Sequence, residues 1–276
     1  MSDIESQYAD IGDGLRLHYH DIGKGTPIVF LHGSGPGASS ISNFRGNYKT
    51  FADAGYRAIL VDSPGYGKSS KPADGSYHVS ALCNAIIRFL DTLSIDRCIL
   101  IGNSLGGAMA LRLAIDHPKR IKSLVLLAPG GLANFSVYAA MPGIQKLIEV
   151  GLAAPNATLE DMRKLFSLQL FDPAFLSEEL LTHRLEVAKT QPKSVYSGLR
   201  VPDMSSELDL LRCPVLALWG ANDQFCPVST SSVLLEKIAK IQVVQVGECG
   251  HWVQVEHADL FNRTALQFLN EHEQKQ

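Results

Sequence analysis

Short apolar runs alternate with amphipathic stretches along this chain. Residues 28–31, 58–61, 98–101, 123–127, 214–219 and 242–246 are runs without polar alternation, the pattern of strands covered on both faces. Residues 15–20 alternate instead, as a half-exposed antiparallel edge strand would. Between the runs, Leu82, Ala85, Ile86, Phe89, Leu90 and Leu93 recur at helical spacing, as do Leu105, Ala108, Met109, Leu111 and Leu113. Strands alternating with such helices predict an α/β fold, with a mostly parallel eight-stranded sheet and helices on both faces.

The rhythm breaks between Gly130 and Ser206. Helical patches cover 144–152, 159–170 and 178–189, and no strand pattern interrupts them. The reading is a core domain made of 1–130 and 207–276. Residues 131–206 are a helical insertion between two late strands, a lid rather than an independent domain.

Composition narrows the function. A chain of 276 residues buries enough surface for a large core. Its 25 basic and 28 acidic side chains give a net charge of −3, with no basic excess to hold a phosphate backbone, so nucleic acid is not an expected partner. The five cysteines include no CxxC pair, which leaves neither a disulfide framework nor a zinc ribbon. Met1, Ser2, Asp3, Ile4 and Glu5 make an acidic start without the apolar core of a signal peptide. Residues 123–145 carry no charge, but Pro129, Gly130, Gly131, Pro142 and Gly143 break them, which argues against a membrane span. A soluble, cytoplasmic protein is expected.

Three local patterns mimic other chemistries. Gly33-Ser34-Gly35-Pro36-Gly37-Ala38 with Asp62 has the outline of a dinucleotide fingerprint, but Pro36 sits where amides should face a pyrophosphate. Gly67-Lys68-Ser69 lacks the first glycine of a P-loop, since Asp62 occupies that place. Cys249 and His251 have no second spaced pair to complete a metal site. No cofactor and no metal are expected.

Gly102-Asn103-Ser104-Leu105-Gly106 follows one strand and opens a helix. In that setting G-x-S-x-G is a nucleophile elbow, whose small flanking residues let the chain turn sharply around the serine. A serine hydroxyl needs a base, and the base an orienting acid. Asp223 and His251 follow the ends of the two last strands, at the edge where open α/β sheets bind ligands. The order Ser104, Asp223, His251 is that of the α/β-hydrolase nucleophile, acid and base. The oxyanion hole then needs two N–H groups. Leu105 supplies one, and Ser34, in the glycine-rich loop after residue 31, supplies the other.

The whole chain resembles an α/β-hydrolase of the meta-cleavage product hydrolase family. The resemblance is carried by His32-Gly33-Ser34-Gly35-Pro36-Gly37-Ala38, Ser42-Asn43-Phe44 with Asn47, and Gly102-Asn103-Ser104-Leu105-Gly106-Gly107. Phe171-Asp172-Pro173, Glu178-Glu179-Leu180-Leu181 with Arg184, Gly250-His251-Trp252 and Glu256-His257-Ala258 complete it. It implies hydrolysis of a carbon–carbon bond in 2-hydroxy-6-oxohexa-2,4-dienoates, small-molecule ring-fission products of aromatic degradation. It also implies a substrate-binding role for Arg184, Asn43, Asn103, Trp252 and Gly33, with Arg184 on the substrate's carboxylate end, and homo-oligomeric assembly. Read without the resemblance, Arg184 is one cation on an exposed helix face beside Glu178, Glu179 and Glu186. Gln169 departs from the family pattern, at a place often apolar in relatives, and bears on the pocket for the C6 substituent. Two other functions fit the same triad: a carboxylesterase or lactonase, and a ligand receptor on the hydrolase fold.

Overall fold

The structure is a computed structural model and describes residues 4–273; of the N-terminal segment, Met1, Ser2 and Asp3 lie outside the described residues. One sheet of eight strands runs through the molecule. In chain order these are β1 (Gln7–Asp10), β2 (Arg16–Gly23), β3 (Pro27–Leu31) and β4 (Arg57–Val61), followed by β5 (Cys98–Asn103), β6 (Ile121–Leu127), β7 (Val215–Gly220) and β8 (Ile241–Val246). Their spatial order is β1-β2-β4-β3-β5-β6-β7-β8. β1 and β2 pair antiparallel, as do β2 and β4, and all other neighbours are parallel.

β3 to β7 are almost wholly buried because helices cover both faces, forming one apolar cluster on each side. The helix Val79–Thr92 buries Leu82, Ala85, Ile86, Phe89 and Leu90 on one face, as its spacing predicts.

Two readings are corrected at the sheet margins. The alternating strand is not the edge, since β1 covers it. His18 and His20 are buried, and His18 has partners on both ring nitrogens, Asp62 Oδ2 at 2.8 Å and Ser6 Oγ at 3.0 Å. β8, expected to be covered on both faces, is the opposite edge and half exposed; its Gln242 and Gln245 hold the exposed positions.

Between β6 and β7 the chain forms helices, among them Pro142–Leu152, Leu159–Ser167 and Glu178–Lys189, with no strand among the described residues. Gln191 ties this segment to the core. Its Oε1 accepts from the Gly37 amide at 2.7 Å, and its Nε2 donates to the Gly65 carbonyl at 3.0 Å. Among the described residues no helix is long and apolar enough to cross a membrane.

Candidate active site

Ser104 sits between β5 and the helix Leu105–Asp116 with φ 56° and ψ −113°, a conformation L-residues rarely adopt and that surrounding packing must hold. Gly106 makes the turn possible. A Cβ there would lie 2.0 Å from the Leu31 carbonyl oxygen, so no larger residue fits. The turn leaves the Leu105 amide at the free end of the helix, where unpaired N–H groups favour negative charge.

Asp223 and His251 come from the loops after β7 and β8. His251 Nδ1 lies 2.7 Å from Asp223 Oδ2, with both side chains buried. The other oxygen, Oδ1, accepts the amides of Phe225 at 2.7 Å and Cys226 at 3.0 Å, so the carboxylate is fixed at both ends. Phe225 stacks on the imidazole with centroids 5.0 Å apart. The Cys226 side chain is a hydrogen-bond neighbour of Ser104, and burial pushes its thiol pKa well above the ordinary value.

Ser104 and His251 share a narrow cavity with Gly33, Ser34, Asn43, Asn103, Gln169, Arg184 and Trp252. Asn43 Oδ1 accepts the Gly33 amide at 3.1 Å, and Asn103 Nδ2 donates to the Leu127 carbonyl at 3.1 Å. Arg184 is only 2% exposed, which corrects the surface reading of this residue. Glu178, its supposed neighbour, pairs with Arg163 instead. The guanidinium lies over the rings of Phe166 and Trp252, 4.7 and 5.5 Å from their centroids, and burial pushes its pKa down to about 9.

A second cavity of about 540 Å³ shares Ser34, Ser104 and Leu147 with the first. Leu105, Tyr138, Ile144, Leu147, Ile148 and Cys226 are among its walls. Gln169 lines the narrow cavity and is absent from this lining.

Sequence reasoning missed Phe225 and Cys226, whose only signal is their nearness to Asp223. It also gave no role to Glu256. That carboxylate accepts the amides of Gly250 at 2.7 Å, Phe171 at 2.6 Å and Asp172 at 3.0 Å, joining the histidine loop to the helical segment. The Gln169 carbonyl adds a fourth link by accepting the His251 amide at 2.7 Å.

The decoys have structural roles. Asp62 is buried and accepts from the Ser40 amide, the Ser40 hydroxyl, the Lys68 amide and His18. Burial alone would raise its pKa, but these hydrogen bonds and the nearby histidines hold it well below the usual carboxylate range. Cys249 Sγ lies near the Gly250 carbonyl and Glu256.

The profile of the α/β hydrolase fold family matches residues 26–258. The chain belongs to that family. It is 38% identical over 96% of its length to a 2-hydroxy-6-oxononadienedioate/2-hydroxy-6-oxononatrienedioate hydrolase of Burkholderia vietnamiensis, covering 95% of that protein. It is also 38% identical over 95% of its length to a 2-hydroxy-6-oxo-6-phenylhexa-2,4-dienoate hydrolase of Comamonas testosteroni, covering 93% of it. Among solved structures, a meta-cleavage product hydrolase from Pseudomonas fluorescens superposes with a TM-score of 0.85 at 29% identity, over 97% of this chain and 98% of that one. The eight-stranded α/β-hydrolase fold expected from the sequence is therefore the fold of this chain and of these relatives.

Proposed function

We propose that this hydrolase cleaves the C5–C6 bond of 2-hydroxy-6-oxohexa-2,4-dienoates, with Ser104 as nucleophile, His251 as base and Asp223 as its orienting acid. The observation that carries the reading is the pair of unlike cavities meeting at Ser104. One is narrow and holds the buried cation Arg184, and the other is wide and mostly apolar. A substrate with a carboxylate at one end and an apolar group beyond its ketone fits across the serine in one direction only.

In this reading Arg184, with Asn43, Asn103, Gly33 and Trp252 around it, holds the C1 carboxylate end. The dienol is ketonised by protonation at C5, so that the leaving fragment departs as a stabilised enol. Ser104 gives its proton to His251 and attacks C6, while the Leu105 and Ser34 amides hold the oxyanion. The C5–C6 bond breaks, and the departing dienolate takes the proton from His251 and leaves as a 2-hydroxypenta-2,4-dienoate. Water activated by the now neutral His251 frees the carboxylic acid from the serine. Residues 131–206 act as a lid over this site. A cytoplasmic location and homo-oligomeric assembly belong to the same reading; the five free, buried cysteines suit a reducing compartment.

The test is a substrate panel. Dienoate ring-fission products and p-nitrophenyl esters are offered to the purified protein, followed by loss of dienoate absorbance and by nitrophenol release. Turnover of dienoates well above esters supports the reading, and ester turnover alone would replace it with a carboxylesterase.

A further inference from the structure

Three buried polar atoms around the Arg184 cavity have no partner among the described residues: Oε1 of Gln169, Oδ1 of Asn103 and Nε of Arg184. Buried groups of this kind cost stability unless something completes them. Gln169 is 3% exposed. Its backbone is anchored, with its amide donating to the Phe166 carbonyl at 3.0 Å and its carbonyl accepting from His251. The Asn103 amide is oriented by its bond to Leu127, which leaves its oxygen without a donor of its own.

The set is one charged donor and two neutral acceptors. A bare carboxylate satisfies Arg184 but sets its lone pairs against the two amide oxygens. A ligand that completes Arg184 and one of the two acceptors carries an anionic group and, within a few ångströms of it, a hydrogen-bond donor. A hydroxyl on the carbon next to a carboxylate is the smallest group that does so.

We propose that Gln169 is a specificity-determining residue, whose Oε1 accepts a hydrogen bond from the hydroxyl beside the substrate's carboxylate, so that the site selects an enol acid over a plain carboxylate of the same length. This rests on the dienoate reading above and adds a residue to it. Gln169 moves no proton; it binds the enol form before ketonisation. An apolar side chain here would leave that hydroxyl unpaired, and a site that loses a buried partner discriminates strongly against the group it once recognised.

The experiment measures binding without turnover, in Ser104→Ala protein. The ligands are 2-hydroxy-6-oxo-6-phenylhexa-2,4-dienoate and its 2-deoxy counterpart, 6-oxo-6-phenylhexa-2,4-dienoate. Gln169→Leu and the nearly isosteric Gln169→Met are each added to that background, so the comparison survives if one of them folds poorly. Both variants should bind the hydroxylated ligand about 10- to 50-fold more weakly, and the deoxy ligand within about threefold of the parent. Equal weakening of both ligands, or an unchanged hydroxylated ligand, overturns the proposal. The unsubstituted protein is assayed for turnover of the hydroxylated compound alongside. Absence of turnover there counts against the dienoate reading itself, whereas turnover with unchanged selectivity counts only against Gln169.

Discussion

Arg184 Nη1 donates to Ser42 Oγ at 2.9 Å, and no carboxylate among the described residues forms an ion pair with this guanidinium. A buried charge without a counter-charge is costly to the resting protein and ready for an anionic ligand. Arg184→Ala should lower kcat/KM on dienoates about 30- to 1000-fold, the loss of a charge-assisted contact in a desolvated site. Hydrolysis of p-nitrophenyl acetate, which has no carboxylate to anchor, should stay within a few-fold. Arg184→Met should unfold no earlier than the parent on heating. Equal kinetic losses on both substrates would make Arg184 a structural residue.

Asp223 serves two sets of partners through its two oxygens, and its substitutions should separate them. Asp223→Asn removes the charge that stabilises an imidazolium, and kcat should fall by roughly 10²- to 10⁴-fold with little change in stability. Asp223→Ala also strands the amides of Phe225 and Cys226, at an added cost of about 1–3 kcal/mol. Steady-state kinetics and urea unfolding on the two variants check this. A kcat loss under tenfold for the asparagine variant would remove Asp223 from the triad.

Glu256→Gln should act on the histidine loop and not on the far end of the substrate. One oxygen becomes an NH₂ facing an amide donor, so stability should fall by about 1–3 kcal/mol. The kinetic loss should be the same on dienoates and esters, since both need His251. A loss confined to dienoates would assign Glu256 to substrate binding.

Acid stability should follow three histidines. His32 Nε2 accepts the Ser63 amide at 3.0 Å, so its proton sits on Nδ1, which donates to the Gly33 carbonyl at 2.7 Å. Burial lowers the pKa of His32, and likewise of His20 and His183. The unfolded chain therefore takes up protons first as pH falls through about 6.5, and stability rises with pH across that window. The urea midpoint should drop between pH 7.5 and 5.5, and the His32→Gln variant should show a shallower drop. Asp62, held low, contributes a loss only under more acidic conditions. A flat profile over this range would mean that the three rings titrate normally.

Among the described residues, the wide cavity has Arg200 as its one cationic wall residue. Arg200 is exposed, and its Nη1 already donates to the carbonyls of Ser197 at 2.8 Å and Leu199 at 2.7 Å. A solvated ion pair there would add little, whereas an aryl group gains from the apolar walls. The phenyl-substituted dienoate should therefore exceed the dicarboxylate 2-hydroxy-6-oxononadienedioate in kcat/KM by at least about tenfold. The reverse order, abolished by Arg200→Gln, would overturn this.

The sheet and the sharp turn at Ser104 were legible because each is encoded locally. Unbroken apolar runs mark β3 to β7, and glycines at 102 and 106 mark a place where backbones nearly touch. Ser104, Asp223 and His251 could be ordered because each follows a strand end. What stayed hidden is fixed by contacts distant in sequence. Nothing near Arg184 announces that Ser42, Phe166 and Trp252 will enclose it, so its charged neighbours in the chain suggested a surface. His18 looked like a solvent-facing alternation because its partner Asp62 lies far along the chain. Glu256 binds amides from two loops, and an acid that pairs with backbone rather than with a cation leaves no charge pattern to read.

β6 and β7 are hydrogen-bonded neighbours, with Leu124 opposite Val215 and Leu127 opposite Leu218, although the whole helical segment lies between them in the chain. The two strands are parallel, so the segment leaves the sheet at the carboxyl end of β6 and returns at the amino end of β7, a crossover of about one strand length, roughly 15–20 Å. An insertion anchored this way can lengthen, shorten or be exchanged during descent without shifting the register of any strand. Its freedom is limited where it reaches back, through Gln191 to the Gly37 and Gly65 loops and through Gln169 to His251. Divergence in substrate choice is then easiest in the helices lining the wide cavity and slowest at those tethers, which makes the segment a replaceable part with a fixed set of fastenings.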